Sequence, residues 1–280
     1  MRISVVTPSF NMARFLGETI ESVLCNLQPG DEYFVIDGGS KDGSADIIRQ
    51  YDRQLTGWVS EPDRGYADAL AKGFERAAGD ILYWVNVGDL LLPGALGAAR
   101  DALGRTGVDM IFGDDFYIDE DNRVISFSRG YVRDLRAAML YGGWTPLQDA
   151  CFWRRELYRR IGGLNAGLRY AADYDLFLRM AVAGRTAYVP LAFSAFRRHG
   201  GQKSISGAAA YKAERREVQR SALSSAAVVS SGLAQRLWQP IAVRWRARVL
   251  HPWVWRRADL VGRPIGEFTC GSYWPPTRAP

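Results

Sequence analysis

The stretch "ILYWVNVGDLLLPGAL", residues Ile81 to Leu96, decides the fold of this chain. An unbroken apolar run ends at Asn86-Val87-Gly88-Asp89, and a second apolar run follows with Pro93 and Gly94 inside it. A continuous apolar run is typical of a strand buried on both faces, as in a parallel sheet. A carboxylate directly after such a strand can leave the core only where the strand ends at a cleft. We therefore predict that Asp89 faces out of the core, because the strand stops at a cleft.

Strand and helix patterns alternate around this stretch at intervals of roughly 25 residues. The other strand-like segments of this part are "ISVVTPSFN", "EYFVIDGGS", "GWVSEPDRG" and "VDMIFGD". This alternation predicts an α/β fold with a mainly parallel sheet covered by helices. Ligands of such sheets bind beyond the carboxyl ends of the strands, where Asp37, Asp63 and Asp89 all lie.

The pattern changes from about Asp115 onward, which predicts a smaller mixed region. A hairpin is expected to turn at residues 120–122, and the segment "ADYDLFLRMAVAG" is expected to be a helix. We predict one domain with two halves, residues 1–114 and 115–224, followed by a helical or irregular appendage, residues 225–280.

Composition places the chain among ordinary globular proteins, with 48% hydrophobic and 24% charged residues. The three cysteines are scattered and form no CxxC pair, which argues against a zinc site or a disulfide framework. No basic-then-apolar leader precedes the first strand, and no apolar run reaches the ~20 residues of a membrane span. We therefore expect a cytoplasmic protein.

The net charge of +6 resides entirely in residues 225–280, since residues 1–224 carry equal numbers of basic and acidic side chains. The appendage also contains five of the nine tryptophans. Trp and Arg together suit a bilayer surface with anionic headgroups, so we expect peripheral membrane contact there. Packing of the tryptophans on the main domain is the alternative. Nucleic-acid binding is not expected, because the balanced charge of residues 1–224 does not extend the basic surface of the appendage. The interleaved residues are Trp238, Arg244, Trp245, Arg246, Arg248, Trp253, Trp255, Arg256 and Arg257.

Two of the carboxylates have both a binding and a structural interpretation. Asp37, in "VIDGGSKDGS", can accept a hydrogen bond from a base or ribose, but Asp-Gly-Gly-Ser is also a common tight turn. No GxGxxG dinucleotide fingerprint follows the first strand. The carboxylate of Asp89 can serve as a hard oxygen ligand for Mg²⁺ or Mn²⁺, and the cation would neutralise a diphosphate. Alternatively, Asp89 caps the helix that begins near Pro93.

Further candidates lie near the end of the second half. Asp173 and Asp175 begin the helix "DYDLFLRM", where acidic residues complement the helix dipole or supply a general base. Being two positions apart, they cannot share one helix face, so at most one points into the cleft. His199, in "FRRHGGQKS", is either a solvated loop residue or a metal ligand.

The order of these motifs resembles the family 2 glycosyltransferases over about residues 1–206. The resemblance implies a GT-A fold, a nucleotide-diphosphate sugar donor, a divalent cation (Mn²⁺ or Mg²⁺) and inversion at the anomeric carbon. The segments that carry it are "VVTPSFN", "VIDGGSKDGS", "SEPDRGYADALAKGFERAAGD", "WVNVGDLLLPGAL", "CFWRRELYRRIGGLN", "YAADYDLFLRMAVAG" and "FRRHGGQKS".

The resemblance assigns donor-binding roles to residues of the first half, which is thereby implied to bind the nucleotide sugar. The matched carboxylate at position 37 typically contacts uracil, so a UDP-sugar is expected. The matched positions are Thr7, Pro8 and Phe10 beside the nucleotide, Asp37 at the base, and Asp63 and Arg64 near ribose and phosphate.

The resemblance also assigns the chemistry. Asp89 matches the second carboxylate of the family's Asp-Asp metal motif, Asp173 matches the catalytic base, and His199 matches a position that completes metal or diphosphate binding. Two positions depart from the family pattern: Gly88 replaces the usual first Asp, and Ala172 replaces the Glu often found before the base.

We therefore expect an inverting, metal-dependent glycosyltransferase that builds a surface polysaccharide or glycolipid at the inner membrane face. The acceptor is expected to be a saccharide or lipid-linked sugar bound by residues 115–224. One alternative is a non-catalytic sugar-nucleotide or partner-binding module, which the glycine at position 88 would permit. A nucleotidyltransferase is less expected, because "SFNMARF" lacks a Gly-rich, basic loop after the first strand.

Overall fold

The computed structural model describes residues 1–200, 202, 207–224, 254–255 and 259–271. Strands and helices alternate regularly in the first half of the chain. The order there is β1 (Ile3–Ser9), α1 (Ala13–Leu24), β2 (Glu32–Asp37), α2 (Ser44–Gln50), β3 (Gly57–Ser60), α3 (Tyr66–Arg76), β4 (Ile81–Trp84), β5 (Leu90–Leu91) and α4 (Ala95–Thr106).

The second half mixes a hairpin, single strands and helices. The order is β6 (Met110–Ile118), β7 (Val124–Ser128), α5 (Leu135–Gly142), a 3-10 turn (Gln148–Ala150), β8 (Cys151–Arg154), α6 (Arg155–Arg160), α7 (Ala172–Ala183), β9 (Thr186–Arg197), α8 (Ala208–Ser224), β10 (Val254–Trp255) and a second 3-10 turn (Ile265–Glu267).

The described strands form one sheet in the order β10-β7-β6-β8-β4-β1-β2-β3, and β9 pairs with β6 and β5. Neighbouring strands from β3 to β4 are parallel, as the alternating pattern predicts. β8 runs antiparallel between β4 and β6. The predicted α/β class is confirmed, with a parallel first part and a mixed second part. The predicted boundary at residues 114–115 falls inside β6, so the two halves share a strand.

Helices cover both faces of this sheet, which explains why its central strands are apolar throughout. All seven residues of β1 are buried. Val6 packs on the α3 side with Leu70 and Phe74, whereas Val5 packs on the other side with Leu16 and Ile20 of α1. Burial on two faces removes the alternation of apolar and polar residues that a half-exposed strand shows.

Part of the predicted appendage packs on the domain. β10 pairs antiparallel with β7, and Leu260, Ile265 and Phe268 are buried against the hairpin of β6 and β7. The backbone of residues 254–255 and residues 259–271 thus lie on the domain, whereas the packing alternative concerns tryptophan side chains outside the described ones and stays a prediction. Trp238, Trp245 and Trp253 lie outside the described residues. Among the helices that are described, none combines the length and the apolar character needed to cross a bilayer.

The contact between α3 and β1 yields a test of the fold. A Cβ at Gly73 of α3 would overlap the Val6 side chain of β1, so we expect Gly73→Ala to destabilise the protein although alanine favours helices. Overpacking of this kind costs about 1–3 kcal/mol.

The matched control is Gly97→Ala in α4, where the nearest neighbouring atom lies 3.9 Å from the added Cβ. That change should stabilise the protein by about 0.5–1 kcal/mol. Both values come from urea unfolding, and a stabilised Gly73→Ala variant would contradict the described packing.

Candidate active site

The polar residues gather where the parallel strands end. The 3-10 turn Gln148–Ala150 closes the end of β4, since Gln148 Nε2 donates to the Trp84 carbonyl at 3.1 Å. The Asn86 side chain donates to Gln148 Oε1 at 2.6 Å, and the Tyr83 hydroxyl donates to the Asp149 carbonyl at 2.9 Å. The loop after β4 and the turn before β8 therefore form one unit, which carries both Asp89 and Asp149.

The prediction that Asp89 faces out of the core is wrong: Asp89 points inward at this edge, where a backbone amide binds its carboxylate. Its side chain is 4% exposed, and Oδ1 accepts a hydrogen bond from the Arg197 amide at 3.0 Å. Burial, followed by the repulsion of the Asp149 carboxylate, raises the pKa of Asp89 well above its usual value. The capping interpretation of Asp89 does not apply, because α4 begins at Ala95 after Gly94 and no side chain caps it.

Gly88 departs from the family pattern for a conformational reason. Its φ of +105° lies in a region that residues other than glycine rarely adopt. The Thr19 hydroxyl accepts from the Gly88 amide at 3.0 Å and donates to the Asp89 carbonyl at 2.9 Å. A carboxylate-bearing residue at position 88 would strain this loop, so the glycine is required by the local backbone.

Two further buried carboxylates lie beside Asp89. Ser194 Oγ donates to Asp115 Oδ1 at 3.1 Å, while Asp115 Oδ2 and Asp149 Oδ2 receive no hydrogen bond from the described residues. Burial raises the pKa of Asp115, and the charges of Asp149 and Asp89 raise it further. Sequence reasoning missed both residues. For Asp115 the available signal was an acidic pair inside the apolar strand "MIFGDDFYI", because burial of an unpaired charge is energetically costly.

Asp173 occupies the first turn of α7 and is half-buried. Burial raises the pKa of Asp173 to about 6, although the Tyr174 amide, which donates to Oδ1 at 2.7 Å, acts in the opposite direction. Asp175 instead pairs with Arg179 at 2.6 Å. The two acids thus have different surroundings, and Asp173 is the one with the pKa of a general base.

The surroundings of Asp173 connect it with the Asp89 region. The Tyr66 hydroxyl donates to the Tyr170 carbonyl at 3.2 Å and accepts from the Ala172 amide at 3.2 Å, which fixes the start of α7. Burial raises the pKa of the Cys151 thiol, and the charges of both Asp149 and Asp173 add to this rise. The carboxylates of Asp149 and Asp173 therefore both lie near Cys151, which begins β8.

The predicted donor residues of β1 and β2 differ in accessibility. Thr7 is buried and its hydroxyl lies 2.9 Å from that of Tyr33, Pro8 is buried in β1, and Phe10 is 56% exposed. Asp37 is also buried, and its carboxylate accepts from the amides of Gly39 and Ser40 and from two serine hydroxyls. These bonds match the turn interpretation, and contact with a nucleobase stays a prediction.

Asp63 and Arg64 follow β3 and lie beside the same loop. Asp63 Oδ1 accepts from the Gly65 amide at 2.8 Å, and a Cβ on Gly38 would lie only 2.6 Å from Asp63 Oδ2. Position 38 thus needs glycine for this close approach. The Arg64 side chain is 79% exposed and pairs with Asp68 at 2.6 Å.

His199 lies just beyond β9, and its ring centroid is 5.5 Å from that of Phe15. Burial lowers the pKa of His199, so the ring is mostly neutral at pH 7, as a metal ligand must be.

The described part of the chain contains no group of three His, Cys, Asp or Glu residues that could hold a metal alone. Asp89 accepts from the Arg197 amide, and His199 lies two residues after Arg197 in the chain; phosphate oxygens would have to supply further ligands. The excess of buried carboxylates suits such a cation.

Sequence reasoning also missed Arg197, although it lies within the quoted "FRRHGGQKS". It is fully buried, and its Nε donates to the Gly88 carbonyl at 2.7 Å. Sequence alone cannot distinguish it from Arg198, which is exposed, because the two arginines are adjacent at the end of the same strand-like segment.

Comparisons with known proteins identify the family and the fold of this chain. An uncharacterized glycosyltransferase from Mycobacterium tuberculosis is 32% identical over 185 residues, which cover 64% of this chain and 69% of that protein. The structure of S. aureus TarS 1–349 in complex with UDP-GlcNAc is similar with a TM-score of 0.64 at 14% identity, covering 87% of this chain and 79% of that one.

A mannosyltransferase from Pyrobaculum calidifontis, in complex with GDP-Man and Mn²⁺, has a TM-score of 0.59 at 20% identity, covering 95% of this chain and 77% of that one. These likenesses show that the chain has the GT-A fold. The family model described as Glycosyl transferase family 2 matches residues 4–162, which is more than half of the chain. The chain therefore belongs to glycosyl transferase family 2.

Proposed function

We propose that this protein is an inverting glycosyltransferase that moves a sugar from a nucleotide-diphosphate sugar, expected to be a UDP-sugar, to a hydroxyl of a saccharide or lipid-linked acceptor. One observation carries the proposal: in a chain whose residues 4–162 match family 2, Asp173 stands half-buried at the start of α7, with a pKa raised to about 6. The bound UDP-GlcNAc of TarS supports a UDP-sugar, while the GDP-Man of the Pyrobaculum enzyme leaves the nucleotide to experiment.

Residues 1–114 bind the donor in this proposal. The loop after β2, held by Asp37, receives the base, and Asp63 and Arg64 contact ribose and phosphate. Phe10 supplies exposed aromatic surface beside the nucleotide. Residues 115–224 bind the acceptor and carry the base Asp173.

Asp173 performs the proton transfer. With a pKa of about 6 the carboxylate is mainly ionised at pH 7, yet it is more basic than an ordinary aspartate. It accepts the proton of the acceptor hydroxyl while that oxygen attacks the anomeric carbon and the diphosphate leaves from the opposite face. The covered setting keeps water from competing with the acceptor.

Asp89 and His199 would hold a divalent cation, Mn²⁺ or Mg²⁺, together with the donor's phosphate oxygens. When bound, the cation neutralises negative charge on the leaving diphosphate. Because Gly88 is explained by its backbone conformation, its departure from the family pattern does not favour the non-catalytic alternative.

Contact with a membrane surface is proposed for the Trp- and Arg-rich residues 238–257. The support is the sequence composition, since lipid-linked acceptors reside at a bilayer and clustered arginines attract anionic headgroups.

The first test of the function uses Asp173→Asn with UDP-GlcNAc or GDP-mannose as donor and Mn²⁺ present. Loss of the base should lower nucleotide release in the presence of a sugar acceptor by about 10²–10⁴-fold. Donor affinity, measured by calorimetry, should stay within about twofold, because the carboxylate contacts the acceptor and not the nucleotide.

The matched control is Asp175→Asn on the same helix, which removes the pair with Arg179 and should leave turnover nearly unchanged. Removal of metal by EDTA should abolish wild-type activity, and added Mn²⁺ should restore it. Full turnover by Asp173→Asn would exclude Asp173 as the base.

The pH dependence follows from the raised pKa of Asp173. Since only the ionised carboxylate accepts a proton, kcat/KM should rise with pH, bend near about pH 6 and level off above it. The profile of a His199→Asn variant serves as control, and its bend should stay at the same pH even if its rate is lower. A bend that moves with His199 would assign the titration to the imidazole.

The membrane proposal is tested on the full chain with Arg244, Arg246 and Arg248 changed to Glu. Each arginine near an anionic surface contributes about 1 kcal/mol, so co-sedimentation with phosphatidylserine vesicles should weaken by on the order of 100-fold or more. The control changes the exposed Arg53, Arg105 and Arg159 to Glu, with the same loss of charge. Equal binding by the two variants would refute a role for this segment.

A further inference from the structure

Arg197 is a charged residue in the interior of the site region, with a relative exposure of 0%. A fully buried arginine is rare, because the desolvated guanidinium must find partners for its five N–H groups. Its neighbour Arg198 is exposed, with the guanidinium 4.6 Å from the centre of the Tyr117 ring. Burial of one arginine and not the other suggests a specific function for Arg197.

The guanidinium of Arg197 joins four separate parts of the chain. Arg197 is the last residue of β9, and its guanidinium contacts α1, the loop after β4, and the turn between β6 and β7. The contacts are Nε to the Gly88 carbonyl at 2.7 Å, Nη2 to Glu18 Oε2 at 2.7 Å, Nη1 to the carbonyls of Asp119 and Glu120 at 3.4 and 3.3 Å, and the face of Phe15 at 4.7 Å.

The backbone of Arg197 reaches the same loop. Its amide donates to Asp89 Oδ1 at 3.0 Å, while its side chain donates to the carbonyl of Gly88, the residue before Asp89. Thr19 binds the other two polar groups, the Gly88 amide and the Asp89 carbonyl. The loop is therefore held from two sides, and the direction of the Asp89 carboxylate follows from these bonds.

We infer that Arg197 is a positioning residue that fixes the Asp89 carboxylate for the donor's diphosphate and its cation; this inference rests on the proposed role of Asp89. Arginine is required because its planar fork binds Gly88, Glu18 and the β6–β7 turn at the same time. The single ammonium group of lysine cannot reach all of these partners. Groups that orient a metal ligand typically change metal affinity 10–100-fold when they are altered.

The test uses Arg197→Lys, with Arg198→Lys as the matched control next to it in sequence. Hydrogen exchange of the unliganded protein reports on the loop directly. We expect exchange of the peptide that contains residues 86–92 to become at least about tenfold faster in Arg197→Lys and to stay unchanged in Arg198→Lys. Affinity for UDP-GlcNAc or GDP-mannose in the presence of Mn²⁺ should fall by about 10–100-fold in Arg197→Lys alone.

A double-mutant cycle with Asp89→Asn separates positioning from general stability. If Arg197 acts through Asp89, Arg197→Lys should cause no further loss of affinity when Asp89 is already changed. An equal loss in both backgrounds, or unchanged exchange of residues 86–92, would overturn the inference. Should Arg197→Lys fail to fold, Glu18→Ala removes the half-exposed partner of the Arg197 guanidinium and should give a smaller change in the same direction.

The two readouts distinguish this inference from the proposed function. If the wild-type protein binds neither nucleotide sugar, with or without Mn²⁺, the proposed function fails, whereas the exchange result still decides whether Arg197 holds the loop.

Discussion

The parallel pairing of β1 with both β2 and β4 is the constraint on which the site depends. In this register Ser9 lies opposite Asp37, and Val6 lies opposite Trp84. The loops that follow the three strands must therefore leave the sheet at one edge, whatever their own sequences. Loop residues that are far apart in the chain are thus neighbours at this edge.

The antiparallel strand β8 brings the second half of the chain to the same place. It lies between β4 and β6, and the 3-10 turn before it covers the end of β4. Asp149 on that turn neighbours Asp89, and Cys151 begins β8 directly after the turn. The second half of the chain therefore contributes to the edge at which the parallel strands end.

Buried charge gives this edge its chemical character. Asp89, Asp115 and Asp149 are taken out of water together, and Arg197, which is also fully buried, lies next to Asp89. Such an arrangement disfavours the ionised carboxylates until further positive charge is supplied. Perturbed carboxylates of this kind cluster at functional sites, and in the proposed function the cation of the donor supplies the missing charge.

Much of this protein was determined by its sequence alone. Unbroken apolar runs indicated strands buried on two faces, and the alternation with helical segments indicated the α/β class, because these periodicities are local properties of the chain. The motifs at residues 37, 89 and 173 also placed the candidates at strand ends and at a helix start, where the structure has them.

Only the tertiary structure decided which way the side chains face and which residues join them. The position of β8, the inward direction of Asp89, and the burial of Arg197 but not Arg198 all depend on contacts between distant segments. Likewise, the left-handed conformation of Gly88 follows from its bonds to Thr19 and Arg197, which lie far from it in sequence. Local patterns carry no information about such long-range partners. For that reason the hydrogen bonds that hold Gly88 and Asp89 could not be predicted from the sequence.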